Sequence, residues 1–271
     1  MLNAKGYVLK IGWLYPELMS TYGDRGNTIV LYKRSEWRGI KVEVRKLDVG
    51  YPIEQLESCD LLFMGGAQDT QQKIVSEDLK EKKEILSSMI ESGIPGLYIC
   101  GAYQFLGKYY KEADGTVIDG LGIFDLHTEN PGLNHKRLIG NIVVECHPEL
   151  VSGSRLVRDS DLRQNDNKKT LVGFENHGGR TYLGKNLRPI GKVKVGFGNN
   201  ETDRMEGAIY KNSFGTYLHG PILPKNPHFA DLLIKIALEK KYKEEAKLQE
   251  LDDKLEWDAH NAIANQLGIK V

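Results

Sequence analysis

Cysteine is scarce in this chain: 271 residues contain only three, at Cys59, Cys100 and Cys146. An odd, widely spaced set argues against both a disulfide framework and a zinc knuckle. Charge of one sign is missing too. Lys+Arg and Asp+Glu number 37 each, so nothing in the balance supports a polyanion-binding surface. Long apolar runs are also lacking. The longest uncharged stretch, residues 92–107, is shorter than a membrane span and contains Gly93, Pro95 and Gln104. Lys10 and Glu17 bracket too short an apolar run for a signal peptide, so a cytoplasmic location is expected. No Gly-x-x-x-x-Gly-Lys-Ser/Thr sequence occurs, so the chain shows no P-loop for ATP. No fixed-period repeat or low-complexity linker divides it.

What is present is a soluble composition, 40% hydrophobic and 27% charged, in a chain long enough to bury one large core. The first half alternates strand and helix. Residues 7–14 are apolar and β-rich, and a loop through Gly23-Asp24-Arg25-Gly26-Asn27 leads into a helix ending near Trp37. Residues 41–49 alternate as a half-buried strand does, and 60–64 form a short buried strand stopped by Gly65-Gly66. One long helix is expected over 70–92, a strand over 95–100 and a helix over 101–110. This order implies an α/β fold: a mostly parallel sheet flanked by helices, with ligand chemistry at the carboxyl ends of its strands. From 115 to 217 the chain turns β-rich, and residues 226–241 read as an amphipathic helix. The simplest division is one domain, 1–241, followed by a helical C-terminal extension, 242–271. Leu248, Leu251, Leu255 and Trp257 of that tail form a stripe that suits either a partner subunit or the chain's own domain.

Cys100 follows the apolar run Leu97-Tyr98-Ile99 and opens a helix, on the kind of turn that presents a nucleophile. A lone cysteine is commonly just buried. Here the Gly101 N–H and the helix start favour a thiolate and a developing oxyanion. Gly65-Gly66 reads either as a tight strand exit or as half an oxyanion hole, with an N–H near Gly66 or Ala67. Gln68 and Asp69, which follow, are within reach of a substrate in this reading. Far downstream, His219 in Tyr217-Leu218-His219-Gly220-Pro221 ends a second apolar run, as a general base for a cysteine nucleophile would. His177 in Glu175-Asn176-His177-Gly178 is its rival, and spacing does not choose between them. Arg137 reads as a solvated residue or as a bidentate clamp for a carboxylate.

The motifs Tyr15-Pro16-Glu17-Leu18-Met19-Ser20-Thr21-Tyr22-Gly23-Asp24-Arg25-Gly26-Asn27, Gly65-Gly66-Ala67-Gln68-Asp69, Cys100-Gly101-Ala102-Tyr103-Gln104, Gly173-Phe174-Glu175-Asn176-His177 and Tyr217-Leu218-His219-Gly220-Pro221 occur in this order. Together they resemble the cobyric-acid-synthase-type class I glutamine amidotransferases, and more closely the glutaminase subunits of lipid II isoglutaminyl synthase. The likeness covers residues 11–221 and implies a class I glutamine amidotransferase-like fold. It implies Cys100 as nucleophile of a glutaminyl thioester and His219, rather than His177, as its base. Arg137 would bind the glutamine α-carboxylate, with Gly66, Ala67, Gly101 and Gln104 lining the substrate. It also implies a Mur-ligase-like partner, MurT, which would hold ATP, Mg and lipid II, with no cofactor in this chain. An acceptor such as a corrinoid carboxylate, a stand-alone γ-glutamyl cysteine hydrolase and a silent scaffold are the alternatives.

Two departures from the common class I pattern stand out. Tyr98 and Ala102 occupy positions two before and two after the cysteine that are usually glycine, and Pro221 stands where many members carry a glutamate. No carboxylate near His219 in sequence completes a triad. The expectation is therefore a Cys/His dyad, oriented by an acidic residue from a partner.

Overall fold

The computed structural model describes residues 6–67, 69–147 and 170–270. In chain order the strands are β1 (Val8–Leu14), β2 (Lys41–Leu47), β3 (Leu61–Met64), β4 (Gly96–Ile99), β5 (Tyr109–Lys111), β6 (Val117–Asp119) and β7 (Leu126–Glu129). They continue as β8 (Leu138–Cys146), β9 (Thr170–His177), β10 (Arg180–Leu183), β11 (Gly191–Val195), β12 (Met205–Glu206), β13 (Ala208–Tyr210) and β14 (Ser213–Thr216). The α-helices among the described residues are α1 (Arg25–Glu36), α2 (Ile53–Glu57), α3 (Asp69–Glu81), α4 (Lys83–Glu91), α5 (Gly101–Leu106), α6 (Pro227–Tyr242) and α7 (Lys254–Gln266).

The central sheet runs β13-β14-β4-β3-β1-β2. All its pairings are parallel except the antiparallel β13–β14 edge. Its short central strands are buried on both faces, which is why 61–64 and 96–99 read as unbroken apolar runs. Alternate side chains feed two cores. Leu97, Ile99 and Phe63 pack with Leu31 of α1 and Phe229 and Leu233 of α6. Tyr98, Leu62 and Met64 pack on the other face with Val75, Leu86, Ile90 and Phe105. Helices therefore cover both sides of the sheet.

Two four-stranded sheets, β10-β7-β5-β6 and β12-β11-β8-β9, account for the β-rich second half. Register brings Leu14 beside Met64, Met64 beside Tyr98, and Ile99 beside Thr216. The carboxyl ends of four parallel strands thus share one edge.

Three sequence expectations need adjustment. The helix expected over 70–92 is two helices broken at Lys82. That residue is 4% exposed and turns inward to an ion pair with Asp78 at 2.7 Å, its ammonium over the Tyr51 ring. The helix expected over 101–110 ends at Leu106, because Gly107 turns extended and the chain enters β5. The tail is helical only in α7; residues 243–253 cross the surface without helix.

That crossing is tied down by charge. Arg34, 2% exposed, makes paired hydrogen bonds to both Asp231 (2.7 and 2.8 Å) and Asp253 (2.6 and 3.0 Å). Arg38 bonds Asp231 and the Gln249 carbonyl. Beyond it, Ala264 of α7 packs with Val143 and Val172, and His260 is buried against Thr170 and Asn226. Leu248 packs against the main core, and Trp257 stacks on His228. Of the four stripe residues only Leu255 is exposed, so the tail lies on its own domain and presents no continuous docking stripe.

Candidate active site

Four segments leave the shared sheet edge within reach of one another: residues after β1, β3, β4 and β14. This is where an open α/β sheet places ligand chemistry. Cys100 follows β4 directly. Its backbone is held at φ +51°, ψ −104°, a conformation costly for a side-chain-bearing residue and typical of a nucleophile presented on a sharp turn. Its N–H donates to the Thr216 carbonyl at 2.8 Å, and its carbonyl accepts from Gln104 N at 2.9 Å, so both sides of the turn are fixed. Tyr98 and Ala102, unusual beside such a turn, are fully buried. The Tyr98 ring lies over Gly96, where a Cβ would fall 2.5 Å from it. A glycine two residues further back makes room for the side chain.

His219 follows β14 and is fully buried. The backbones of His219 and Phe174 exchange hydrogen bonds of 2.7 and 3.2 Å, which join the central sheet to β9. His219 Nδ1 lies 3.2 Å from Asp24 Oδ1. The other carboxylate oxygen of Asp24 accepts the Gly66 N–H at 2.8 Å. A carboxylate of this chain therefore stands against the imidazole, where the expectation was a dyad oriented by an acidic residue from a partner.

Pro221 sits against the start of α1, where a Cβ on Gly26 would fall 2.5 Å from Pro221 Cγ, so the segment after His219 and the one that carries Asp24 pack together. Burial alone pushes the imidazole pKa down. The Asp24 hydrogen bond and the neighbouring Cys100 outweigh it and hold the pKa up, at about 10. Among the described residues His219 Nε2 has no other hydrogen-bond partner and is left to Cys100.

The Gly65-Gly66 turn is a place of close approach. A Cβ on Gly66 would stand 2.8 Å from His219 Cε1 and 3.2 Å from Cys100 Cβ; one on Gly65 would stand 2.4 Å from the Met19 carbonyl. Because the Gly66 N–H is committed to Asp24, the next amide of this turn is that of Ala67. Its nitrogen lies 3.5 Å from where a Gly101 Cβ would be. Gly101 N, at the first position of α5, has no intrahelical acceptor. The segments that carry the Ala67 and Gly101 amides thus lie against each other next to Cys100.

A cavity of about 380 Å³ opens over Cys100 and is lined by Ala67, Gln104, Arg137, His219 and His177, among others. Gln104 is buried and its Nε2 donates to the Tyr217 hydroxyl at 3.1 Å. Arg137 is exposed at the cavity wall, bonded to Asn176 through Nε and Nη2, with Nη1 beside Gly178. His177 shares the cavity but stacks flat on Tyr217 at 3.6 Å, with Nδ1 2.7 Å from the Gly179 carbonyl. Burial lowers its pKa. It is held as part of the wall, whereas His219 is the imidazole beside the thiol. Gln68 lies outside the described residues, as does the side chain of Asp69.

The residue that the sequence did not single out is Asp24. It stands in a motif that the resemblance had marked, but an aspartate just before a helix reads as a cap. Nothing local ties it to a histidine 195 positions away. Among the described residues no cluster of three or more His, Cys, Asp or Glu side chains is arranged to hold a metal, and no helix is long and apolar enough to cross a membrane.

Residues 10–227 match the CobB/CobQ-like glutamine amidotransferase domain. The chain is 44% identical over 223 residues to the GatD subunit of lipid II isoglutaminyl synthase (glutamine-hydrolyzing) of Staphylococcus aureus, covering 82% of each chain. With the corresponding subunit of Streptococcus pneumoniae it shares 38% identity, covering 91% of this chain and 87% of that one. A probable cobyric acid synthase of Methanosphaera stadtmanae is 34% identical over 64% of this chain, but the match spans only 33% of that longer protein. Among solved structures, a glutamine amidotransferase aligns with a TM-score of 0.54 at 14% identity, covering 84% of this chain and 98% of that one, which speaks to the fold. The chain thus belongs to the CobB/CobQ-like glutamine amidotransferases and, among them, to the GatD subunits.

Proposed function

We propose that the chain hydrolyses glutamine through a Cys100 thioester and passes the ammonia to a Mur-ligase-like partner, MurT, for amidation of D-glutamate to D-isoglutamine in lipid II. The observation that carries this reading is the convergence of Cys100, His219 and Asp24 at one sheet edge under a cavity. The raised pKa of His219 favours an imidazolium, a cation placed to stabilise a thiolate at the attacking sulfur.

The sulfur adds to the carboxamide carbon, and the carbonyl electrons move onto oxygen, where the Ala67 and Gly101 amides receive the charge. His219 gives its proton to the departing nitrogen and ammonia leaves as the C–N bond breaks. The now neutral imidazole takes a proton from water, which attacks the thioester, and glutamate departs with return of the thiolate. Asp24 keeps the Nδ1 proton in place throughout. Arg137 receives the α-carboxylate and Gln104 borders the side-chain path.

Activation of the acceptor carboxylate requires ATP, and with no P-loop in this chain that step, with its Mg, falls to the partner. A corrinoid acceptor is disfavoured: the cobyric acid synthase likeness spans a third of that protein, whereas the GatD likeness spans most of both chains.

The test is release of glutamate and ammonia from glutamine by wild type and Cys100→Ala, with and without the MurT-like subunit. Turnover abolished in Cys100→Ala and increased by the subunit is the expected result. Turnover surviving in Cys100→Ala, or absent from every combination, would overturn the reading.

A further inference from the structure

Tyr22 is conspicuous on the cavity wall: a large aromatic residue, 46% exposed, held at φ +55° although it is not glycine. Such a backbone persists only where its surroundings over-determine it. Here they do. Thr21 N donates to the Gly66 carbonyl at 3.0 Å, and Asp24 N closes the turn on the Thr21 carbonyl at 3.2 Å. The turn aims the Tyr22 ring edge-on at His219, with centroids 5.0 Å apart.

The phenol oxygen reaches across the cavity and accepts the Asn176 Nδ2–H at 2.8 Å. That bond fixes which way the amide faces, so Asn176 Oδ1 and its backbone carbonyl both turn to Arg137, accepting Nε and Nη2 at 2.9 Å each. Arg137 is exposed and has no carboxylate partner among the described residues. Without this anchorage a long side chain at the surface would sample many rotamers.

We infer that Tyr22 and Asn176 form a strap across the cavity that presets Arg137 for a free α-carboxylate, and so sets the preference for glutamine over amides that lack that group. The inference rests on the assignment of Arg137 to the carboxylate. Asn176 and Tyr22 are positioning residues: they act through Arg137, and the phenol proton remains available to the same wall of the cavity.

The test uses the full chain and two electrophiles, the chloromethyl ketone analogue of glutamine and its counterpart lacking the α-carboxylate. In each, the Cys100 sulfur displaces chloride and forms a C–S bond, followed by intact mass. The ratio of the two rates within one variant reports carboxylate preference and cancels changes in thiol reactivity. Arg137→Met should abolish the preference. Tyr22→Phe and Asn176→Ala should each reduce it about three- to tenfold, the effect of one hydrogen bond. The double variant should lose no more than the larger single loss, because the two residues act as one unit.

Circular dichroism checks that each variant is folded. Unchanged preference in Tyr22→Phe and Asn176→Ala, alongside its loss in Arg137→Met, refutes the strap and leaves the carboxylate site standing. No preference in wild type, or full preference in Arg137→Met, instead removes the assignment of Arg137 beneath it.

Discussion

Replacing Asp24 by asparagine separates the two tasks of its carboxylate. One oxygen faces His219 Nδ1 at 3.2 Å and the other accepts the Gly66 N–H at 2.8 Å. Asparagine has a single acceptor oxygen and satisfies only one of these donors. If the oxygen stays on Gly66, the amide NH2 faces Nδ1. The ring must then carry its proton on Nε2, the atom that has to exchange protons with the nucleophile and leaving group. The same replacement in Ser-His-Asp triads costs about 10⁴-fold. If the oxygen turns to His219, the Gly66 N–H is left unpaired at about 1–3 kcal/mol, and the turn presenting Ala67 loosens.

A fall in kcat of about 10²- to 10⁴-fold is therefore expected for glutamine hydrolysis with the partner subunit present, with a fold no less compact than wild type. A second readout is the His219 imidazole itself, followed by NMR as pH is raised. Burial lowers its pKa, while Asp24 and the neighbouring Cys100 raise it, so removing the Asp24 charge moves the His219 titration down. The stability contributed by the raised His219 is full below about pH 6.5 and is lost as pH rises through about 10, so the gap between wild type and variant narrows toward alkaline pH. A kcat within about threefold of wild type, with an unmoved His219 titration, would show that Asp24 does not orient the imidazole.

Gly66→Ala should fold yet lose about 10²-fold or more in glutaminase rate, since its Cβ would stand 2.8 Å from His219 Cε1; a rate near wild type would mean that the turn yields without moving the imidazole. Glu206, buried beneath β14, has its pKa pushed up to about 7 by burial; hydrogen bonds from Thr216 and the Tyr217 N–H offset this only in part, and the charge of Glu175 adds to the rise. Folding thus loses on the order of 3 kcal/mol between about pH 4.5 and 7 as the unfolded carboxyl ionises first. Glu206→Gln should flatten that slope in urea titrations, and an unchanged slope would refute the assignment. Arg34→Met should cost about 2–4 kcal/mol by leaving Asp231 and Asp253 without their shared partner, measured by chemical denaturation. A loss below about 0.5 kcal/mol would mean the crossing segment is held by packing alone.

Much of this molecule was readable in one dimension, and each readable feature depends on near neighbours. The apolar runs at 61–64 and 96–99 announced strands buried on both faces, the glycines after β3 announced a close approach, and Cys100 stood at a strand-to-helix turn. Even the adjustments are instructive. Periodicity carries a helix smoothly through Lys82 because sequence does not reveal that its ammonium turns inward to Asp78, and leucine spacing joins 248 to 255 across a segment that is not helical.

By itself the sequence determined the parallel sheet, the thiol on its turn and the family to which the chain belongs. Which carboxylate faces His219 was decided only by tertiary structure. Strand order brings the end of β14 and the end of β1 to the same sheet edge, where Pro221 packs over Gly26, two residues from Asp24. Local pattern follows from backbone geometry a few residues long. A hydrogen bond spanning 195 positions exists only because the folded sheet fixes two distant loops against each other.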